Sequence, residues 1–170
     1  MTSPRGGRSI SLMPGSSTSG PSFAGAPDDL VEAAKAARER AYCPYSRFRV
    51  GAALLTEDGE VFVGCNVENA SFGLTLCAER SAVVSAVAQG TRNFRALALA
   101  GDSEGPTMPC GACLQVLAEF ARDLPISIVG QGPTRLDTDL GALLPQAFGA
   151  SDLASGQGVG TTPEAEGTSE

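Results

Sequence analysis

With no histidine in its 170 residues, this chain has only cysteine to offer as a nitrogen-or-sulfur metal ligand. Cys77-Ala78-Glu79 and, further along, Pro109-Cys110-Gly111-Ala112-Cys113 set three thiols and one acid in the pattern a hydrolytic zinc centre requires. Such a centre uses three protein ligands and keeps its fourth position for water. Any fold for this chain therefore has to bring Cys77, Cys110 and Cys113 together.

The flanking patterns indicate how. Asp29 followed by Glu32 is a capping-box pattern, and Leu30, Ala33, Ala37 and Ala41 recur at helical spacing until Pro44 ends it. Val50 to Thr56 and Val61 to Cys65 are β-prone runs joined through Asp58-Gly59, a hairpin signal. From Cys77 to Ala88, Ala78, Ala82, Val83, Ala86 and Val87 mark a second helix closed by Gly90, and Arg95 to Ala100 reads as a buried strand. Cys110 to Ala121 is a third helix, with Cys113, Leu114, Leu117 and Ala121 on one face, and Ile126 to Val129 is the next strand.

Strands alternating with helices imply crossovers and parallel pairing, hence a layered α/β sheet. Right-handed crossovers leave the starts of the two cysteine-bearing helices at the same end of that sheet, where α/β ligand sites lie. Cys110 and Cys113 face the same way on the first turn of one helix, while Cys77 opens the other. Three thiolates and a divalent zinc sum to a net charge of about −1, which the two helix N-termini and Arg80 are placed to offset.

Composition bounds the rest. Residues 1 to 26 are dominated by Ser, Gly and Pro, and the stretch after residue 150 by Gly, Thr, Ser and Glu, so residues 27 to 150 are expected to form one domain between disordered tails. Arg5 and Arg8 have no apolar run behind them and no later segment is long enough to span a bilayer, which points to the cytoplasm and away from membranes. Five cysteines, an odd number, suit reduced thiols or metal ligands better than a disulfide framework. A net charge of −7 repels polyanions, which favours a small uncharged substrate over nucleic acid.

Four ordered motifs, Pro-Tyr-Ser-Arg-Phe-Arg-Val-Gly-Ala-Ala at 44 to 53, Asn-Val-Glu-Asn-Ala at 66 to 70, Cys-Ala-Glu-Arg at 77 to 80 and Pro-Cys-Gly-Ala-Cys at 109 to 113, resemble the small homotetrameric cytidine deaminases of pyrimidine salvage. The resemblance runs from about Ala33 to Phe148. It implies a three-layer α/β fold, with a mixed β-sheet and helices on both faces. It also implies one zinc per subunit and hydrolysis of cytidine and 2′-deoxycytidine to the uridine nucleosides with release of ammonia. In that scheme zinc on Cys77, Cys110 and Cys113 activates water for attack on C4, and Glu79 shuttles protons to ring N3 and the leaving amine.

The same resemblance assigns Asn66 and Glu68 to the sugar 3′-hydroxyl and Phe48 to the face of the pyrimidine. It gives the backbone of Ala70 to the base in a neighbouring subunit and Arg80 to the zinc-ligand sulfurs. Phe72 stands where many members carry Tyr, and Leu114 where Arg is frequent. Phe148 corresponds to an aromatic that enters a neighbour's active site, so active sites shared within a homotetramer are expected.

Two other readings compete. A nucleic-acid-editing deaminase needs basic or aromatic surface around its site, which a chain with 5% aromatic residues and no Trp lacks. A structural zinc module needs a fourth ligand, for which Cys43 and Cys65 are the spare candidates. Otherwise both are expected to be buried structural thiols.

Overall fold

The computed structural model describes residues 25–156. The expected tails up to residue 24 and beyond residue 156 lie outside the described residues. In chain order the elements are α1 (Asp28–Arg38), β1 (Val50–Thr56), β2 (Val61–Cys65), a 3₁₀ turn (Phe72–Leu74), α2 (Ala78–Ala88), β3 (Phe94–Gly101), α3 (Gly111–Ala118), β4 (Pro125–Val129), β5 (Arg135–Asp139), α4 (Leu140–Leu143) and α5 (Ala150–Gly156).

The five strands form one mixed sheet in the order β2-β1-β3-β4-β5. β1 pairs antiparallel with both β2 and β3, so β2 and β3 run in the same direction on either side of it. β3 and β4 pair parallel, and β5 returns antiparallel along the edge. The two crossovers, β2-α2-β3 and β3-α3-β4, thus begin at the same end of the sheet, and both cysteine-bearing helices start there. The expected α/β fold with a mixed sheet is the one found.

Both faces of the sheet are covered, which explains why every residue of β1 after Val50 is buried. On one face Leu54, Leu97, Leu99, Ile126 and Ile128 pack with Ala82 and Ala86 of α2 and Leu117 of α3. On the other, Ala53, Leu55, Ala96, Ala98 and Ala100 meet Leu30, Val31 and Ala34 of α1. Alternation along β1 and β3 deals their residues between the two layers. The small side chains on the second face let α1 lie close. A Cβ at Gly51 would fall on the Ala34 carbonyl and the Arg38 amide, and one at Gly64 on the Ala78 carbonyl and the Ala82 amide.

Several local expectations are corrected. α1 stops at Arg38 instead of continuing to Pro44, and its N-cap is Pro27, whose carbonyl accepts from the Leu30 and Val31 amides. No capping box forms: Glu32 binds Lys35 at 2.8 Å and Asp29 takes the Leu30 amide. Glu32 is one turn inside the helix and solvent-facing, so the nearer lysine wins it. α3 ends at Ala118, short of Ala121. Strand β5, Arg-Leu-Asp-Thr-Asp, was not expected, because a polar edge strand shows no hydrophobic run. It is held by the β4 ladder and by Ser127, fully buried, whose hydroxyl donates to Asp137 and accepts from Arg135 at 3.0 Å and from the Ala26 amide at 2.7 Å. Among the described residues, Ala26 is already packed, 2% exposed, and α5 runs to residue 156.

Candidate metal centre

Cys77 and Cys110 are the N-caps of α2 and α3, with near-identical extended backbones, φ −74° and ψ 157° against φ −77° and ψ 158°. The Cys110 carbonyl accepts from the Cys113 and Leu114 amides, which turns Cys113 back toward the helix start. The Cys77 and Cys110 sulfurs lie 3.9 Å apart and those of Cys110 and Cys113 3.4 Å apart. All three lie within 4.8 Å of one another.

Zinc–sulfur bonds of about 2.3 Å in a tetrahedron separate sulfurs by about 3.8 Å, so this donor set fits a zinc ion without rebuilding. Cys113 is fully buried, Cys77 half-buried and Cys110 exposed, which places the centre at the boundary between core and surface. Among the described residues the cluster holds three ligands. Cys65 turns elsewhere, toward the Arg40 carbonyl at 3.4 Å, and Cys43 lies outside the cluster; both are partly exposed instead of buried, and among the described residues no closed four-thiol module forms.

The neighbouring charges are arranged around these thiols. Hydrogen bonding from the Cys113 thiol, helped by Arg80, holds the Cys77 thiol down to about 5 against the effect of burial. The same bond and burial push Cys113 up. Arg80 Nη2 donates to Cys77 Sγ at 3.4 Å and to the Thr75 carbonyl at 3.1 Å, while its Nε is buried without a hydrogen-bond partner. Glu79, in the first turn of α2, is 4% exposed. Burial pushes its carboxyl up, and the Cys77 charge adds to the rise. Thr75 had not been anticipated, since its contribution is a backbone carbonyl and leaves no trace in residue type.

A second group of expected site residues gathers around the segment leading into β1. Phe48 is 37% exposed. Asn66, nearly buried, accepts from the Val50 amide and donates to the Phe48 carbonyl, both at 2.8 Å. Glu68 Oε2 accepts from the amides of Tyr45 at 2.8 Å and Ser46 at 3.2 Å. The Ser46 side chain and then these amides hold the Glu68 carboxyl below its usual range, against a partial desolvation. Both residues address the backbone of the 45–50 segment.

Ala70 is exposed in the following loop, and Phe72, 74% exposed, meets Tyr45 edge-on with ring centroids 5.9 Å apart. Phe148 presents a ring that is 58% exposed, and its carbonyl accepts from Gln115 of α3 at 2.8 Å. Gln115 and Tyr45 are further residues that the sequence reading did not single out. Tyr45 lay inside a quoted motif, whereas Gln115 carried no signal. A cavity of about 710 Å³ between α1 and the β4–β5 turn includes none of the cysteines.

A metal held by three protein groups with an acid alongside is the arrangement of a zinc-dependent hydrolase, and that is the class the fold and the centre define. The comparisons narrow it. The family model described as cytidine and deoxycytidylate deaminase zinc-binding region matches residues 26–127. The cytidine deaminase of Sporosarcina psychrophila is 48% identical over 128 residues, covering 75% of this chain and 94% of its own length. That of Mycobacterium tuberculosis is 49% identical over 113 residues, covering 66% and 82%. A crystal structure of the Burkholderia pseudomallei cytidine deaminase superposes with a TM-score of 0.70 at 54% identity, over 71% of this chain and 98% of that one. The chain belongs to the cytidine deaminase family, and zinc is its cofactor. Among the described residues no helix is long and apolar enough to cross a membrane.

Proposed function

We propose that this enzyme hydrolyses free cytidine and 2′-deoxycytidine to uridine and 2′-deoxyuridine with release of ammonia. The observation that carries the reading is the buried Glu79 carboxyl, two positions from Cys77 in a three-thiol centre. Zinc, when bound by Cys77, Cys110 and Cys113, supplies the Lewis acidity that makes water nucleophilic near neutral pH. Glu79 takes a proton from the water that attacks C4, delivers one to ring N3 and later protonates the departing amine. A carboxyl raised by burial suits both duties, because its proton affinity lies nearer the working pH. Arg80 keeps Cys77 in its thiolate form through the hydrogen bond to Sγ.

In this reading Phe48 packs on the pyrimidine face, while Asn66 and Glu68 take the sugar 3′-hydroxyl. The Ala70 backbone, Phe72 and Phe148 complete a neighbouring subunit's site within a homotetramer. Exposure of Tyr45, Phe72, Leu74 and Phe148, each more than half accessible, supports contact with other copies. The charge of −7 favours a free nucleoside over a polynucleotide. A role in pyrimidine salvage in the cytoplasm follows from that substrate choice. The test is ammonia release and the ultraviolet change with cytidine, deoxycytidine and a cytosine-containing oligonucleotide, with zinc measured on the same sample. Turnover of both nucleosides and none of the oligonucleotide is expected; preference for the oligonucleotide would overturn the proposal.

A further inference from the structure

Asp102, just past the end of β3, places one carboxylate on both the backbone and the side chain of Arg49. Its Oδ2 accepts from the Arg49 amide at 3.0 Å and from Arg49 Nε at 3.0 Å. Its Oδ1 accepts from Arg49 Nη2 and from Gln131 Nε2, each at 3.2 Å. The side chain is only 14% exposed, and Arg38 Nε stands 3.7 Å away. An acceptor set filled by charged donors and a backbone amide in a mostly dry setting is strong and geometrically demanding.

The Arg49 amide belongs to the peptide unit that follows Phe48, and the carbonyl of that same unit accepts from Asn66 at 2.8 Å. The Phe48–Arg49 peptide is therefore gripped at both poles, by Asp102 from β3 and by Asn66 from the segment after β2. The Phe48 amide is taken by Ser46 Oγ at 3.0 Å, and Arg47, immediately before, holds a left-handed φ of 58°. A non-glycine residue keeps that conformation only where its surroundings over-determine it. Phe48 itself is 37% exposed, so packing covers only part of its ring. The backbone clamp sets the direction of its Cα–Cβ bond.

We infer that Asp102 is a positioning residue for the base-binding edge of the site, acting through the Arg49 amide to aim Phe48. The inference rests on the reading that Phe48 packs on the pyrimidine. It separates the carboxylate's two duties. The Arg49 side chain contributes an ion pair, but the amide remains when that side chain is removed.

The experiment is steady-state kinetics with cytidine on the zinc-loaded variants Phe48→Ala, Asp102→Ala, Asp102→Asn, Arg49→Ala and the Phe48→Ala/Asp102→Ala double variant, with zinc content and Tm for each. Asp102→Ala should raise KM about tenfold while kcat and zinc stay within about twofold. Asp102→Asn, which keeps an oxygen for the amide, should recover most of that. Arg49→Ala should raise KM less than about threefold, because the amide clamp survives. In the Phe48→Ala background, Asp102→Ala should add less than about twofold, as coupled residues do.

A purely structural ion pair predicts equal losses for Asp102→Ala and Arg49→Ala, carried by Tm instead of KM, and that result would overturn the inference. So would an unchanged KM in both Asp102 variants while Phe48→Ala raises it. An unchanged KM in Phe48→Ala would instead remove the base-contact reading, and the inference with it. Should Asp102→Ala not fold, Asp102→Leu, which fills the same space without an acceptor for the Arg49 amide, takes its place against Arg49→Ala and Asp102→Asn, with the same outcomes expected.

Discussion

Arg80 Nη2 lies 3.4 Å from Cys77 Sγ and donates to it, while the same nitrogen reaches the Thr75 carbonyl at 3.1 Å. The guanidinium thus ties the Cys77 thiol to the loop before α2. Leu114, which follows Cys113, is 7% exposed and packs in the core, so it offers the thiolates no charge. Arg80→Ala should weaken zinc binding about 10- to 100-fold, as loss of a group supporting a ligand does. Chelator competition measures it, and an affinity equal to the parent's would remove Arg80 from this role.

Glu79→Gln should keep zinc and fold while lowering kcat by about 10² or more. A loss under about tenfold would assign the proton transfer to another group. The same variant has a signature in pH. Burial raises the Glu79 carboxyl in the folded state, so its contribution to stability is present in full at acid pH and lost as pH rises past the unfolded value, about 4.3, and through the raised one. In metal-free protein, the Tm of Glu79→Gln relative to the parent should therefore increase between pH 4 and pH 8. A difference independent of pH would show that the carboxyl is not raised.

Cys77→Ala, Cys110→Ala and Cys113→Ala should each lose bound zinc and activity, since each leaves two ligands. Their metal-free stabilities should differ, because Cys113 is fully buried in the core and Cys110 is exposed. Cys113→Ala should lower Tm by about 3 °C or more, and Cys110→Ala by about 1 °C or less. Calorimetry of the apo proteins decides it; equal shifts would contradict the burial difference.

Gly64 and Gly51 sit under different helices. A methyl at Gly64 meets the backbone of α2, which carries Glu79, whereas one at Gly51 meets α1 on the far face. Both alanine variants should destabilise by about 1–3 kcal/mol. Only Gly64→Ala should also reduce zinc affinity and kcat. Equal zinc affinity in the two variants would mean that the α2 start does not depend on that close approach.

Phe148 is anchored by Gln115 through its carbonyl, leaving its ring outside. If it completes a neighbour's site, Phe148→Ala should raise KM about tenfold or weaken assembly with zinc unchanged. Light scattering beside kinetics tests this, with a tetramer expected for the parent. An active monomer, or a variant matching the parent in both assays, would show that the sites are not shared.

Much of the architecture was written locally. The β1–β2 hairpin runs over the residues expected because Asp58-Gly59 and the flanking β-prone runs agree, and Gly59 takes the φ of 85° that such a turn favours. The gathering of Cys77, Cys110 and Cys113 beside Glu79 was legible because the chain has no histidine and the cysteine spacing matches helix starts. Neither signal depends on distant residues.

What depended on distant residues needed the tertiary structure. β5 exists because β4 offers it a ladder and Ser127 a buried partner, although its own residues are polar. Asn66, Glu68 and Asp102 converge on the backbone of residues 45–50 from the segments that follow β2 and β3, which the sheet brings to the same end. Residue type and spacing determined which groups are candidates for the chemistry, since ligand softness and helix periodicity are local properties. The packed sheet decided which carboxylates and amides hold those groups in place, because hydrogen bonds to backbone atoms follow three-dimensional proximity and leave no pattern along the chain.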